Sequence, residues 1–128
     1  MRVLVDTHAL IWAVDEPARL GSTARLALED DSNEVVISAA TVWEIAIKTG
    51  LCKLTLSMPY KEWMNRAIAD LGATILPITV EYADAQATLP NHHRDPFDRL
   101  LVSQAQVENI PLASNEETFD RYGISRLW

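Results

Sequence analysis

Short apolar runs alternate along the chain with longer amphipathic stretches. The apolar runs predict strands at residues 2–6, 34–38, 73–78 and 111–114, with a weaker fifth strand near residues 125–128. The stretches between them predict helices at about 7–14, 22–31, 40–50, 59–71, 79–88 and 96–109. Strands that alternate with helices are typical of βαβ units. The pattern therefore predicts an α/β/α sandwich with a central, mainly parallel sheet of four to five strands.

Acidic residues follow the predicted strands at the points where these strands end. Asp6 stands at the C-terminal end of the first predicted strand, and Glu44 lies in the helix after the second. Asp98 lies near the start of the helix that precedes the fourth strand, and Glu116 follows that strand. Ligands of open α/β sheets bind outside the carboxyl ends of the strands. Carboxylates that meet there repel one another unless they hold a hard cation such as Mg²⁺ or Mn²⁺, so the first hypothesis is a metal-dependent hydrolase.

Two of these acids also have a purely structural explanation. Asp6 suits the N-cap of the first helix, where its side chain would accept a hydrogen bond from a helical amide. Thr41 followed by Glu44 matches a capping box. Glu44 and Lys48 have the i,i+4 spacing of an ordinary helix salt bridge. Taken singly, neither acid decides between capping and metal binding.

The other two acids lie near the starts of later helices. Asp95 is assigned mainly to the N-cap of the helix that begins at Pro96. Asp98 shares a helix face with Leu101 and Val102, and this apolar face turns to the core, which favours a functional role for Asp98. Glu116 is the weakest candidate, because a helix dipole alone favours an acid in a first turn. Four acids at the ends of successive βα units exceed what capping requires, so we interpret them as one shared site.

The histidines, tryptophans and glycines do not indicate a functional site. The histidines match no metal-binding pattern such as HExxH, and surface or packing roles are expected for His8, His92 and His93. The four tryptophans lie in apolar surroundings and are expected to pack in the core or between subunits: Trp12, Trp43, Trp63 and Trp128. A dinucleotide site and a P-loop are excluded because the four glycines do not have the required spacing.

Length, composition and charge predict the number of domains, the location of the protein and the conditions under which it could act on nucleic acid. A length of 128 residues predicts a single domain over residues 1–128. No apolar stretch approaches about 18 residues, and the start lacks a signal-peptide pattern, so we expect a cytoplasmic protein without a membrane span. A lone cysteine, Cys52, excludes an internal disulfide. The net charge of −7 repels polyanions, so an enzyme acting on nucleic acid would need bound cations, local basic residues or a basic partner chain.

Three segments of the chain stand out as motifs. They read VLVDTHALIW at residues 3–12, ISAATVWEIAIK at 37–48 and HHRDPFDRLL at 92–101. These segments resemble those of the PIN-domain ribonucleases, and more narrowly of the VapC toxins of bacterial toxin–antitoxin pairs. Three such segments in this order are specific, and the resemblance spans essentially the whole chain. It implies a small α/β/α sandwich, a single PIN domain, that cuts RNA with Mg²⁺ or Mn²⁺.

The resemblance also implies roles for individual residues. Asp6, Glu44 and Asp98 match the first three acids of the family and would hold the metal. Family members commonly carry Asp at the fourth position, where this chain has Glu116, and the extra methylene moves the carboxylate by about one bond. We predict all four acids as catalytic. The basic residues expected to guide the RNA strand are Lys48, Arg94 and Arg99.

The family resemblance implies partners as well. A cognate antitoxin would mask the acidic site and bind operator DNA through its own domain, and the chain would form a homodimer or a toxin–antitoxin hetero-oligomer. Two alternatives stay open: a PIN-like module that binds without turnover, and a PIN ribonuclease that is not a toxin. A haloacid-dehalogenase-type phosphatase is disfavoured, because it would need an Asp two residues after Asp6, where this chain has His8.

Overall fold

Five parallel strands form one sheet in the order β3-β2-β1-β4-β5 in a computed structural model that describes residues 1–128. Val5 of the central strand lies opposite Ile37 on one side and Ala113 on the other. Because all neighbouring pairs are parallel, the carboxyl ends of the strands share one edge of the sheet. The strands are β1 (Arg2–Val5), β2 (Glu34–Ser38), β3 (Thr74–Leu76), β4 (Leu112–Ala113) and β5 (Arg126–Leu127).

Six α-helices connect or flank the strands. They are α1 (Thr7–Asp15), α2 (Ser22–Glu29), α3 (Ala39–Gly50), α4 (Tyr60–Leu71), α5 (Val80–Ala87) and α6 (Pro96–Glu108). Every predicted helix and strand is present, with ends that differ by up to two residues. Two short 3₁₀ helices, Pro17–Arg19 and Glu117–Tyr122, were not predicted. No helix in the structure has both the length and the apolar character that a membrane crossing requires.

The sheet is buried on both faces. Alternate residues of a strand point to opposite sides, so Val3 and Val5 pack in one apolar cluster while Leu4 packs in the other. The first cluster includes residues of α1, α2 and α4, and the second includes residues of α5 and α6. The side chains of Val3, Leu4 and Val5 are fully buried, and each contributes about 1.5–3 kcal/mol through burial. The predicted α/β/α sandwich is confirmed.

The tryptophans divide between core and surface. Trp63 is fully buried and donates a 3.0 Å hydrogen bond from Nε1 to Asp15. Trp12 and Trp128 are half-buried and pack against each other, with ring centroids 5.8 Å apart. Trp43 is 61% exposed and is not a core residue, and the other role expected for it, packing between subunits, stays a prediction. Its ring meets the ring of Phe97 edge-on at 5.8 Å.

Candidate active site

Four segments of the chain bring carboxylates to the carboxyl edge of the sheet. Asp6 follows β1 directly, and Glu44 lies in the second turn of α3, which follows β2. Asp98 is the third residue of α6, and Glu116 lies three residues after β4. The charges of the other three all act on Asp98. The structure therefore brings the four predicted acids into one cluster.

Asp6 is a buried N-cap. Its Oδ1 accepts a 2.8 Å hydrogen bond from the backbone N–H of Ala9, as the capping explanation predicts. Burial raises the pKa of Asp6, although hydrogen bonds from Ser114 and Ala9 and the nearby His8 act in the opposite direction. A carboxylate has two oxygens and about four acceptor positions. Capping therefore leaves Asp6 able to bind a cation as well.

Glu44 is buried between two donors. Its Oε1 accepts a 2.6 Å hydrogen bond from the Thr7 hydroxyl, and its Oε2 accepts one of 2.6 Å from Lys48 Nζ. The predicted salt bridge to Lys48 is therefore present. The capping box with Thr41 is wrong, because α3 begins earlier and Ser38 is its N-cap, accepting from the backbone N–H of Ala40.

Asp98 lies among other acids. Burial raises the pKa of its carboxyl to about 7, and four neighbouring carboxylates act in the same direction: those of Asp95, Glu116, Glu44 and Asp6. Asp95 itself is the N-cap of α6, as predicted, and accepts a 2.8 Å hydrogen bond from the backbone N–H of Phe97. Near neutral pH, Asp98 is thus only partly ionised in the absence of a compensating cation.

Glu116 is hydrogen-bonded to a histidine that the sequence did not place at the site. His93 Nε2 lies 2.7 Å from Glu116 Oε1, and His93 Nδ1 lies 3.0 Å from the hydroxyl of Tyr122. The ring of His93 also stacks on Phe119. His93 therefore has the packing role that was expected. It also lies beside two acids, because one potential ligand atom from each of His93, Asp98 and Glu116 lies within 4.8 Å of the other two.

The chain matches the model of the PIN-domain family over residues 3–124. It belongs to the PIN-domain family. It is also 31% identical over 104 residues to Ribonuclease VapC22 of Mycobacterium tuberculosis (strain ATCC 25618 / H37Rv), which covers 80% of this chain and 78% of the relative. The resemblance inferred from the three sequence segments is confirmed.

Solved structures share this PIN fold. The chain superposes with a TM-score of 0.72 and 16% identity on the structure of VapBC2 from Rickettsia felis bound to a DNA fragment from its promoter, with 100% of both chains covered. For VapBC-1 from nontypeable Haemophilus influenzae the TM-score is 0.69 at 14% identity, covering 98% of this chain and 96% of that one. For FitAcB from Neisseria gonorrhoeae the TM-score is 0.60 at 22% identity, with 97% and 95% covered.

The three predicted basic residues of this PIN domain differ in their surroundings. Partial burial opposes the charged form of Lys48, but its hydrogen bond to Glu44 and the nearby acids outweigh this effect and raise its pKa. The guanidinium of Arg99 donates to three backbone carbonyls, those of Pro90, Gln86 and Leu89. Arg94 is exposed and lies with Arg99 on a shallow groove. Of the three, only Lys48 is paired with an acid of the cluster.

The donor set of the cluster fits a hard divalent cation. Carboxylate oxygens are the ligands that Mg²⁺ and Mn²⁺ prefer. Asp6 is buried, and no Lys or Arg side chain is paired with Asp6 or Asp98 in the structure. Burial first, and the neighbouring carboxylates second, raise the pKa of Asp98. A cation held by Asp6 and Asp98, with Glu44 beside them, would relieve this repulsion.

Proposed function

We propose that residues 1–128 form a single PIN domain that acts as a Mg²⁺- or Mn²⁺-dependent endoribonuclease, the toxin of a VapBC-type toxin–antitoxin pair. The observation that carries this proposal is the convergence of four acids, Asp6, Glu44, Asp98 and Glu116, at the carboxyl edge of the sheet. Burial and the neighbouring carboxylates raise the pKa of Asp98 there to about 7. The 31% identity to a ribonuclease of the VapC type supports the choice of RNA as substrate.

Each acid has a role in this mechanism. Asp6 and Asp98 would hold the cation, with the carboxylate of Glu44 as a further ligand. When bound, the cation lowers the pKa of a water molecule and offsets negative charge that develops on the phosphate. Thr7 and Lys48 keep the carboxylate of Glu44 in a fixed orientation. Glu116, whose carboxylate lies near that of Asp98, would orient the attacking water or hold a second cation.

The overall charge explains why the carboxylates alone cannot bind RNA. With a net charge of −7, both the cluster and the whole chain repel phosphates. A divalent cation held by these carboxylates would supply the positive potential that a phosphate needs. Three basic residues are predicted to guide the strand towards it: Lys48, Arg94 and Arg99. Lys48 is hydrogen-bonded to Glu44 and Arg99 to backbone carbonyls, whereas Arg94 is exposed.

A toxin of this kind needs a partner that silences it. Two of the structural neighbours are described as complexes bound to DNA, VapBC2 with a promoter fragment and FitAB with the IR36 fragment. We therefore propose a cognate antitoxin that covers the acid cluster and binds operator DNA through its own domain. A basic antitoxin segment would complement the acidic toxin. The proposed assembly is cytoplasmic and is either a toxin homodimer or a toxin–antitoxin hetero-oligomer.

Cleavage of RNA by the isolated protein tests the activity. The purified chain is incubated with total cellular RNA in Mg²⁺, Mn²⁺ or EDTA, beside Asp6→Asn and the control Asp31→Asn. Asp31 is an exposed acid in the segment just before β2, at the opposite end of the strand, and its variant makes the same charge change. We expect discrete fragments that require metal, persist with Asp31→Asn and are absent with Asp6→Asn.

The outcomes separate the competing functions. Absence of cleavage by the folded wild-type protein under every metal condition would favour a PIN-like module that binds without turnover. Cleavage without growth arrest on induced expression would favour a ribonuclease that is not a toxin. Growth arrest that requires Asp6 and that is relieved by co-expression of a small basic partner supports the toxin assignment.

A further inference from the structure

We propose that His93 is a positioning residue that fixes the carboxylate of Glu116 within the acid cluster. The inference rests on the proposed function and deepens it, because it explains how the fourth acid, Glu116, is oriented. Glu116 is the one position that departs from the Asp common in the family. In this role His93 acts through Glu116 and does not contact the substrate.

The imidazole of His93 is itself firmly held. Its side chain is only 7% exposed. The ring stacks on Phe119, with centroids 4.7 Å apart, and on Tyr122, with centroids 5.6 Å apart. The Tyr122 hydroxyl engages Nδ1 at 3.0 Å, which leaves Nε2 directed at Glu116. A ring fixed by stacking and by one hydrogen bond presents its other nitrogen in a single direction.

The residues that hold His93 belong to the same segment as Glu116. Glu116 immediately precedes the 3₁₀ helix Glu117–Tyr122, which carries both stacking partners. The backbone N–H of Glu116 donates to the hydroxyl of Ser114 at 3.1 Å. His93, in turn, lies in the loop that leads to α6 and Asp98. The imidazole therefore links the segment of the third acid to the segment of the fourth.

Glu116 needs such a link more than an aspartate would. Its side chain is 42% exposed, and it has one more rotatable bond than Asp. Without a partner, a half-exposed glutamate samples several rotamers, and fixing one of them costs entropy. A hydrogen bond of 2.7 Å to a buried imidazole selects the rotamer that keeps the carboxylate near Asp98. Supporting residues of this kind typically change metal affinity or activity by about 10–100-fold.

Four variants test the link. His93→Phe keeps an aromatic ring between Phe119 and Tyr122 but removes both hydrogen bonds, and His93→Gln restores a donor. Glu116→Gln removes the charge that His93 holds. The control is His92→Phe, because His92 meets Tyr122 edge-on at 4.9 Å and has no contact with Glu116 in the hydrogen-bond network. Mn²⁺ affinity is measured by calorimetry and RNA cleavage by kcat, after circular dichroism shows each variant folded.

We expect His93→Phe to weaken Mn²⁺ binding and kcat by about tenfold or more, His93→Gln to recover most of the loss, and His92→Phe to change neither. In the Glu116→Gln background, His93→Phe should have no further effect, because the carboxylate it positions is gone. Effects that multiply in the double variant would overturn the proposal, since His93 would then act on its own, as a cation ligand or through packing.

A shorter side chain gives a second test that leaves the imidazole in place. Glu116→Asp cannot span to His93 Nε2, so Tyr122→Phe and His93→Phe, which should each weaken Mn²⁺ binding in the wild type, should lose that influence in the Glu116→Asp background. Persistence of that influence would contradict positioning. Failure of the proposed function is a separate result: the wild-type protein would cut no RNA, while the Mn²⁺ measurements would still report whether His93 and Glu116 act together.

Discussion

The hydroxyl of Thr7 donates a 2.6 Å hydrogen bond to Oε1 of Glu44, and both residues are buried. This bond joins the first residue of α1 to the second turn of α3, across 37 positions of sequence. Lys48 takes the other oxygen of Glu44. The carboxylate is therefore fixed from two helices before any cation binds, which lowers the entropy cost of assembling a ligand set.

Removal of the Thr7 hydroxyl should weaken both the fold and the site. Thr7→Val keeps the shape but leaves one buried oxygen of Glu44 without its donor, at an expected cost of about 1–3 kcal/mol in the free energy of unfolding. Mn²⁺ affinity should fall by about tenfold. Urea unfolding and calorimetry measure the two effects, with Thr7→Ser as the control that retains the hydroxyl. A Thr7→Val protein equal to the wild type in both would show that the bond is unimportant.

The raised pKa of Asp98 predicts how stability depends on pH in EDTA. Asp98 has a pKa of about 7 in the folded protein, above the ordinary value of 3.8. Between these values the folded state binds more protons than the unfolded state, so this group makes the free energy of unfolding fall as pH rises from about 4 to 7. Asp98→Asn should remove this contribution. The free energy of unfolding of the variant minus that of the wild type should therefore be larger at pH 8 than at pH 5. Identical pH profiles of the two proteins in denaturant titrations would contradict this expectation.

Cation binding should raise the free energy of unfolding, because it offsets the repulsion among the clustered carboxylates. At a free Mg²⁺ or Mn²⁺ concentration 100 times Kd, the fold should gain about 2.7 kcal/mol, seen as a rise in Tm that EDTA removes. The gain should shrink as pH falls below about 7, because Asp98 takes up a proton there. Differential scanning calorimetry of the wild type and Asp6→Asn checks this prediction. An equal rise in Tm for both proteins would place the cation elsewhere.

The tryptophans predict a contrast in stability. Trp63→Ala removes a fully buried ring and leaves Asp15 without one of its donors, so it should cost about 3–5 kcal/mol. Trp43→Ala removes a side chain that is largely exposed and should cost about 1 kcal/mol, the size of its edge-on contact with Phe97. Chemical denaturation measures both. A larger loss for Trp43→Ala than for Trp63→Ala would contradict the burial of these residues.

The sequence predicted the positions of the acids because a simple rule links them. Parallel strands present their carboxyl ends at one edge, so acids that follow β1, β2 and β4 must lie near one another. The contacts that fix those acids could not be predicted in the same way. The bond from Thr7 to Glu44 depends on how α1 lies against α3, and the bond from His93 to Glu116 spans 23 positions and depends on a short 3₁₀ helix.

Local patterns failed where two signals competed. Thr41 and Glu44 have the spacing of a capping box, but Ser38 at the end of β2 already caps α3. Trp43 has apolar neighbours in sequence, yet the buried residues of α3 are Ala40, Thr41, Glu44 and Ile45, which leaves Trp43 on the outer side. A helix face is decided by the packing of its neighbours, and a list of apolar residues does not contain that information.

The order of the strands has a consequence for synthesis of the protein on the ribosome. β1 is made first, but it is the centre of the sheet, and its neighbour β4 begins only at Leu112. Asp6 and Glu116, at opposite ends of the ligand set, are separated by nearly the whole chain. A nascent polypeptide therefore carries no complete acid cluster until residue 116 has been made. During synthesis the first three acids exist for some time without the fourth, and the full ligand set forms only when β4 has joined the sheet.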